Sequence, residues 1–103
     1  MRVSSTAYRL QMHQSAKRDF SKIPQDKRDE ITNHLSGVAE CRKPTDHPSC
    51  EHLSGWTHIY RVRIDRYRAI VQLDQPDLLI LEIGQRRTVY NDLNELVASR
   101  RVN

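Results

Sequence analysis

The 103-residue sequence predicts an α+β fold: an N-terminal strand, a helical hairpin, then three strands that complete a twisted, four-stranded, mainly antiparallel sheet, with room for a short C-terminal helix. Two observations carry this. Apolar residues recur at helical spacing first at Ala16, Phe20 and Ile23, then at Ile31, Leu35 and Val38. From residue 59 the pattern switches to period two, and three strand-like stretches follow with connections too short for anything but an antiparallel meander. Helices and strands segregated along the chain in this way indicate α+β.

Residues 6–12 alternate weakly and read as the first strand. Tyr8, Leu10 and Met12 point one way; Ala7, Arg9 and Gln11 point the other. Ser15 is the expected N-cap of a short helix from Ala16, with Arg18 where a full capping box would have an acid. Pro24 ends that helix and suits the start of the next. Residues 25–40 form the second helix, with Lys27, Arg28, Glu30 and Asn33 on its polar side. Residues 41–54 read as a polar loop. Gly55 supplies a tight turn, and Leu53 and Trp56 anchor the loop end. Strands are expected at 59–64, 67–73 and 78–84, joined by turns at Asp65-Arg66 and Asp74-Gln75-Pro76-Asp77. Leu78-Leu79-Ile80-Leu81 is apolar throughout, as in a strand covered on both faces. Asn91 would cap the last helix, through Leu93, Leu96 and Val97.

The length bounds the chain to one domain, residues 1–103, able to bury roughly 65% of its unfolded surface. Apolar residues make up 37% and charged residues 29%, with a net charge of +4. That balance suits a folded, basic protein with an acidic partner and argues against intrinsic disorder. No apolar run approaches the roughly 20 residues that span a bilayer. Residues 1–14 lack the apolar core of a signal peptide, so the expected location is cytoplasmic, with no membrane partner. Cys41 and Cys50 are the only cysteines, too few for a disulfide framework.

The residues with most chemical content are Arg61, Arg63, Arg68, Arg86, Arg87 and Tyr90. Tyr60, Val62 and Ile64 fall on one face of their strand, and Arg61 and Arg63 on the other. Guanidinium groups bind phosphate in a bidentate manner and keep their charge at any ordinary pH. Held on strands, they form a preorganised cationic surface of the kind that stabilises charge developing in a transition state. The competing account pairs each arginine with Glu51, Asp65, Asp74 or Glu82. Tyr90 can stack on a base or move a proton, or it can be a core aromatic. Cys41, His47, Cys50 and His52 lack zinc-ligand spacing and read as solvated loop residues, so neither metal nor cofactor is expected. His13, His34 and His58 read as structural or solvated.

Several stretches, in this order, resemble the RelE/ParE superfamily, small toxins of bacterial type II toxin–antitoxin systems. They are 15–24, Leu53-Ser54-Gly55-Trp56, Tyr60-Arg61-Val62-Arg63, Tyr67-Arg68-Ala69-Ile70, Ile83-Gly84-Gln85-Arg86 and Val89-Tyr90. The resemblance spans most of the chain and implies a RelE-like sheet with a helical hairpin on one face. Members similar to RelE enter the ribosomal 30S A site and cut mRNA without metal, by attack of a 2′-hydroxyl on the adjacent phosphate. On that likeness Arg61, Arg68, Arg86 and Tyr90 are the expected catalytic residues, and Arg63, Arg87 and Lys17 the RNA-binding ones. The sequence departs from the pattern at Gln85, where many relatives carry His. Some relatives use a carboxylate in the loop before Leu-Ser-Gly; Asp46, His47 and Glu51 lie there. The alternative is a ParE-like toxin that inhibits DNA gyrase by binding alone. Either reading implies an antitoxin partner, in a complex that extends to a heterotetramer. An acidic segment of that partner is expected to cover Arg61, Arg63 and Arg68.

Overall fold

Two unequal apolar clusters, one on each side of a single sheet, organise the chain. The computed structural model describes residues 8–53 and 55–85. Their order is β1 (Arg9–Met12), α1 (Gln14–Ser21), α2 (Gln25–Glu40), a 3₁₀ turn (Pro44–Asp46), β2 (Cys50–His52), β3 (Ile59–Ile64), β4 (Tyr67–Asp74) and β5 (Asp77–Gln85). The sheet order is β1-β5-β4-β3-β2. β1 runs parallel to β5, and every other pairing is antiparallel. The expected C-terminal helix lies outside the described residues. Among the described residues no helix is long and apolar enough to cross a membrane.

α1 begins at Gln14, not at Ala16, because His13 rather than Ser15 caps it. His13 is extended, and its Nδ1 accepts the Ser15 N–H at 3.1 Å. Its imidazole nitrogen thus does what a serine hydroxyl does at other helix starts. Pro24 stands as the N-cap of α2, at φ −57°. From α2, Ile31, Leu35, Val38 and Ala39 are buried. They meet Ala16 and Ile23 of the first helical segment, Val62 and Ile64 of β3, Ala69 and Val71 of β4, and Leu78, Ile80 and Ile83 of β5. This is the larger cluster, and both helices lie on its side of the sheet.

On the other side Ile59, Ile70 and Leu81 form the smaller cluster, with Leu53, Trp56 and Leu79 packed against it. Leu53 and Trp56 therefore anchor the loop end as the sequence suggests, on the side away from the helices. Apolar cover on both faces of Leu78-Leu79-Ile80-Leu81 follows from the same arrangement. A bulge shifts the phase of β5: Ile70 faces Glu82, but Val71 faces Ile80, so Leu81 is the additional residue. Without that shift Glu82, and not Ile83, would fall on the helical side.

The sheet has five strands where the sequence predicts four. The fifth, β2, lies within the stretch expected to be loop. Three residues are too few to display a period, and only its pairing with β3 defines it, with Cys50 opposite Val62. The Arg63 N–H donates to Ser49 O at 2.8 Å, and the Leu53 N–H to Ile59 O at 3.0 Å, so the pairing continues past both ends. Nor is Cys50 a solvated loop residue. It is buried, and burial pushes its thiol up to about 12.

Gly55 turns the chain after β2 at φ +90°, with nothing within 4 Å of where a Cβ would sit. The requirement is thus conformational and not steric. Gly55→Ala is expected to cost about 1–2 kcal/mol. Thermal unfolding should show it as a fall of several degrees, with an unchanged melting temperature counting against the turn's role.

Gly37 serves a close approach instead. A Cβ there would lie 3.0 Å from Nε2 of His47, whose ring rests against α2 with its centroid 6.1 Å from that of His34. Nδ1 of His47 accepts the Ser49 N–H at 3.1 Å, so the bond needs the neutral ring. Burial, then the nearby His34, lowers the pKa of His47 below its ordinary 6.5. The unfolded chain therefore takes up this proton first on acidification. The stabilisation is whole above 6.5 and is lost as pH falls through the lower folded value. The urea midpoint is expected to decline from pH 7 to pH 5, and less steeply in His47→Gln; equal slopes would refute the assignment.

Candidate functional site on the arginine face of the sheet

The strand period fixes which side chains share the face away from the helices. Since Val62 and Ile64 enter the helical core, Arg61 and Arg63 must point the other way. Register then aligns their neighbours. In one row stand Glu51 of β2, Arg61 of β3, Ile70 of β4 and Glu82 of β5. In the next stand Arg63, Arg68 and Gly84. Ile59, Gln72 and Leu79 follow on the other side of Arg61. The smaller apolar cluster thus forms the base from which the arginines rise.

Arg63 and Arg68 are directly opposed. Like charges in that relation destabilise a sheet unless something anionic lies over them. Arg63 is exposed, and its side chain has no hydrogen bond or ion pair among the described residues. Arg68 is held back on the hairpin turn, its Nη1 donating to Asp65 O at 2.9 Å and Tyr67 O at 2.8 Å. Two carbonyls thereby fix the base of that guanidinium without cancelling its charge.

The turn itself is set by Asp65 at φ +56°, a left-handed position that Asp tolerates better than most residues. Its carboxylate does not pair with an arginine of the face. Lys27 Nζ of α2 takes it, at 3.1 Å. That hydrogen bond, followed by charge attraction, raises the Lys27 pKa, and the same contact lowers that of Asp65. Both groups are solvent-exposed, so the pair orients the hairpin tip and contributes little stability. Arg61 differs. It is ion-paired with Glu51, directly across on β2. Of the competing pairings that the sequence allows, this is one the face adopts for Arg61.

Arg61, Arg63 and Arg68 are therefore brought together on one rigid surface. Lys17 is not: it is exposed on α1, in the helical layer on the other side of the sheet. Arg86, Arg87 and Tyr90 lie outside the described residues. β5 ends at Gln85, opposite Tyr67, in the register step beyond the Arg68–Gly84 pair. Tyr60 points to the helical side, where burial raises its phenol pKa and keeps it protonated. Among the described residues no three His, Cys, Asp or Glu side chains converge as a metal site would require.

No protein-family model and no curated protein matches the chain. Solved structures do. The free E. coli toxin RelE, as a double arginine-to-alanine mutant, aligns at a TM-score of 0.66 and 18% identity, covering 91% of this chain and 94% of that one. The same mutant in complex with a RelB antitoxin peptide aligns at 0.63 and 23%, covering 94% and 96%. The toxin–antitoxin complex RelB–RelE from Methanococcus jannaschii gives 0.65 and 14%, covering 80% and 96%. The fold is that of the RelE toxins. In this RelE fold the helical hairpin occupies one face, and the three arginines stand on the other.

Proposed function

We propose that the chain, as a single toxin domain over residues 1–103, is the toxin of a type II toxin–antitoxin system and cleaves mRNA on the ribosome. The observation that carries this reading is the cross-strand set Arg61, Arg63 and Arg68 on one face of a RelE fold. Charge of one sign, held rigid and grouped on one surface, fits a phosphodiester better than it fits water.

In this reading the 2′-oxygen of the mRNA attacks the adjacent phosphorus, and the 5′-oxygen of the next nucleotide leaves. The products are a 2′,3′-cyclic phosphate and a free 5′-hydroxyl. Arg61, Arg68 and Arg86 stabilise the charge gathering on the phosphorane oxygens. Arg63 and Arg87 hold the RNA backbone. Tyr90 orients the nucleotide or takes part in proton transfer, help that is typically worth about 10²–10⁴-fold. Gln85 supplies neither acid nor base, so the chemistry leans on the arginines. Lys17, on the opposite layer, would meet RNA of the 30S A site and not the scissile phosphate.

The RelE structures solved with RelB support an antitoxin partner, and in the proposed reading the complex extends to a heterotetramer. An acidic, partly disordered segment laid over the arginine face would supply the anion that the Arg63–Arg68 pair lacks.

The test is a translating extract programmed with a defined mRNA. Ribosome-dependent cuts within codons, absent with Arg86→Ala, are the expected result. Intact mRNA with gyrase-cleaved DNA accumulating on expression would transfer the chain to the gyrase-inhibitor reading.

A further inference from the structure

From the Glu51–Arg61 pair we infer that Glu51 is a resident counter-ion that gates the arginine face, setting its affinity for phosphate and yielding its place on Arg61 when a polyanion binds. The inference rests on the reading of this face as the RNA-phosphate surface.

Three features make Glu51 displaceable. It lies on β2, a three-residue edge strand. Its side chain is 44% exposed, against 28% for Arg61, so the carboxylate reaches water by a change of rotamer. No backbone bond depends on the ion pair. One further feature makes the displacement selective. Among the described residues Arg63 and Arg68 face one another with no carboxylate on either, Asp65 being held by Lys27. An anion with several phosphates therefore gains two cations before it competes for the third. At Arg61 a single monoanion has only the local exchange with Glu51, which returns one carboxylate to water for each phosphate bound and gains little. Glu51 is in this sense a positioning residue. It holds the Arg61 guanidinium in the plane of the face and excludes weak anions from it. Glu82, the other carboxylate of the row, is separated from Arg61 by β4 and has contacts of its own.

The experiment is a double-mutant cycle on the intact chain with Glu51→Gln and Arg61→Gln, read by binding of a single-stranded RNA oligonucleotide and of inorganic tripolyphosphate across a salt series. Glu51→Gln is expected to tighten both about three- to tenfold at low salt. It should steepen the dependence of log affinity for RNA on log salt by about 0.7, the increment for one additional phosphate contact to a single strand. In the Arg61→Gln background both gains should vanish. Unchanged or weaker binding by Glu51→Gln overturns the inference, as does a gain of equal size without Arg61, which would be a general charge effect. A gain on tripolyphosphate with no RNA binding by any variant keeps the gate and removes the RNA reading. RNA binding that is indifferent to Glu51 keeps the RNA reading and removes the gate.

Discussion

On the proposed mRNA-cleaving reading, Arg68→Ala is expected to slow cleavage by about 10²–10³-fold, the usual cost of removing one fixed donor from a developing oxyanion. The fold should survive. Arg68 is half-exposed, and the two carbonyls it bonds belong to a hairpin turn already held by Asp65 and Lys27. Removing one of two directly opposed like charges also relieves repulsion on the sheet. Stability and activity therefore move separately, and this distinguishes a catalytic arginine from a structural one. Single-turnover cleavage on programmed ribosomes, beside a melting curve, reads both quantities. A catalytic Arg68 lowers the rate at saturating ribosome with the apparent affinity nearly kept. If Arg68→Ala instead weakened binding alone, it would belong with Arg63 as a backbone contact. Arg68→Lys should recover little, since an ammonium cannot present two parallel donors to one phosphate. Full activity in Arg68→Ala would remove this residue from the mechanism.

The arginine set is legible in the sequence because the strand period is strict there. Val62 and Ile64 alternate with Arg61 and Arg63, so placing one pair in the core places the other outside it. α2 is legible for a similar reason: Ile31, Leu35 and Val38 recur at helical spacing over eight residues of a sixteen-residue helix. Other features are set by tertiary pairing and leave no local trace. β2 is three residues long and exists because β3 offers it an edge. The bulge at Leu81 hides in an unbroken apolar run, where either phase looks equally apolar. The cap at His13 is missed because Ser15 is the stronger capping residue by type, while backbone geometry favours the imidazole. Glu51 is legible only as one of four acids able to meet an arginine. Register selects it for Arg61, and a short turn diverts Asp65 to Lys27. The electrostatics of the site are thus written in strand pairing more than in composition.

A second large effect is expected from Ile70→Ala, because this residue supports the arginine face from within. Ile70 is fully buried and belongs to the smaller cluster with Ile59 and Leu81. Its flanks in the sheet are Arg61 on β3 and Glu82 on β5. Truncation removes three carbons from a packed site and leaves a cavity, at a cost of about 2–5 kcal/mol. Against a total of about 5–15 kcal/mol for a domain, that is a large share. The urea midpoint should fall accordingly, with the slope unchanged if the native state keeps its compactness. Leu35→Ala is the control. It makes a cavity of similar kind in the larger cluster, on the helical side, and should destabilise by a similar amount. The two variants part in function. At a temperature where both remain folded, Leu35→Ala should cleave at nearly the normal rate. Ile70→Ala should cleave more slowly, because the strand beneath Arg68 and beside Arg61 has lost its packing, and preorganised charge is effective only while its support is rigid. Equal activity in the two folded variants would show that the arginines keep their geometry without the small cluster, and that its role is confined to stability.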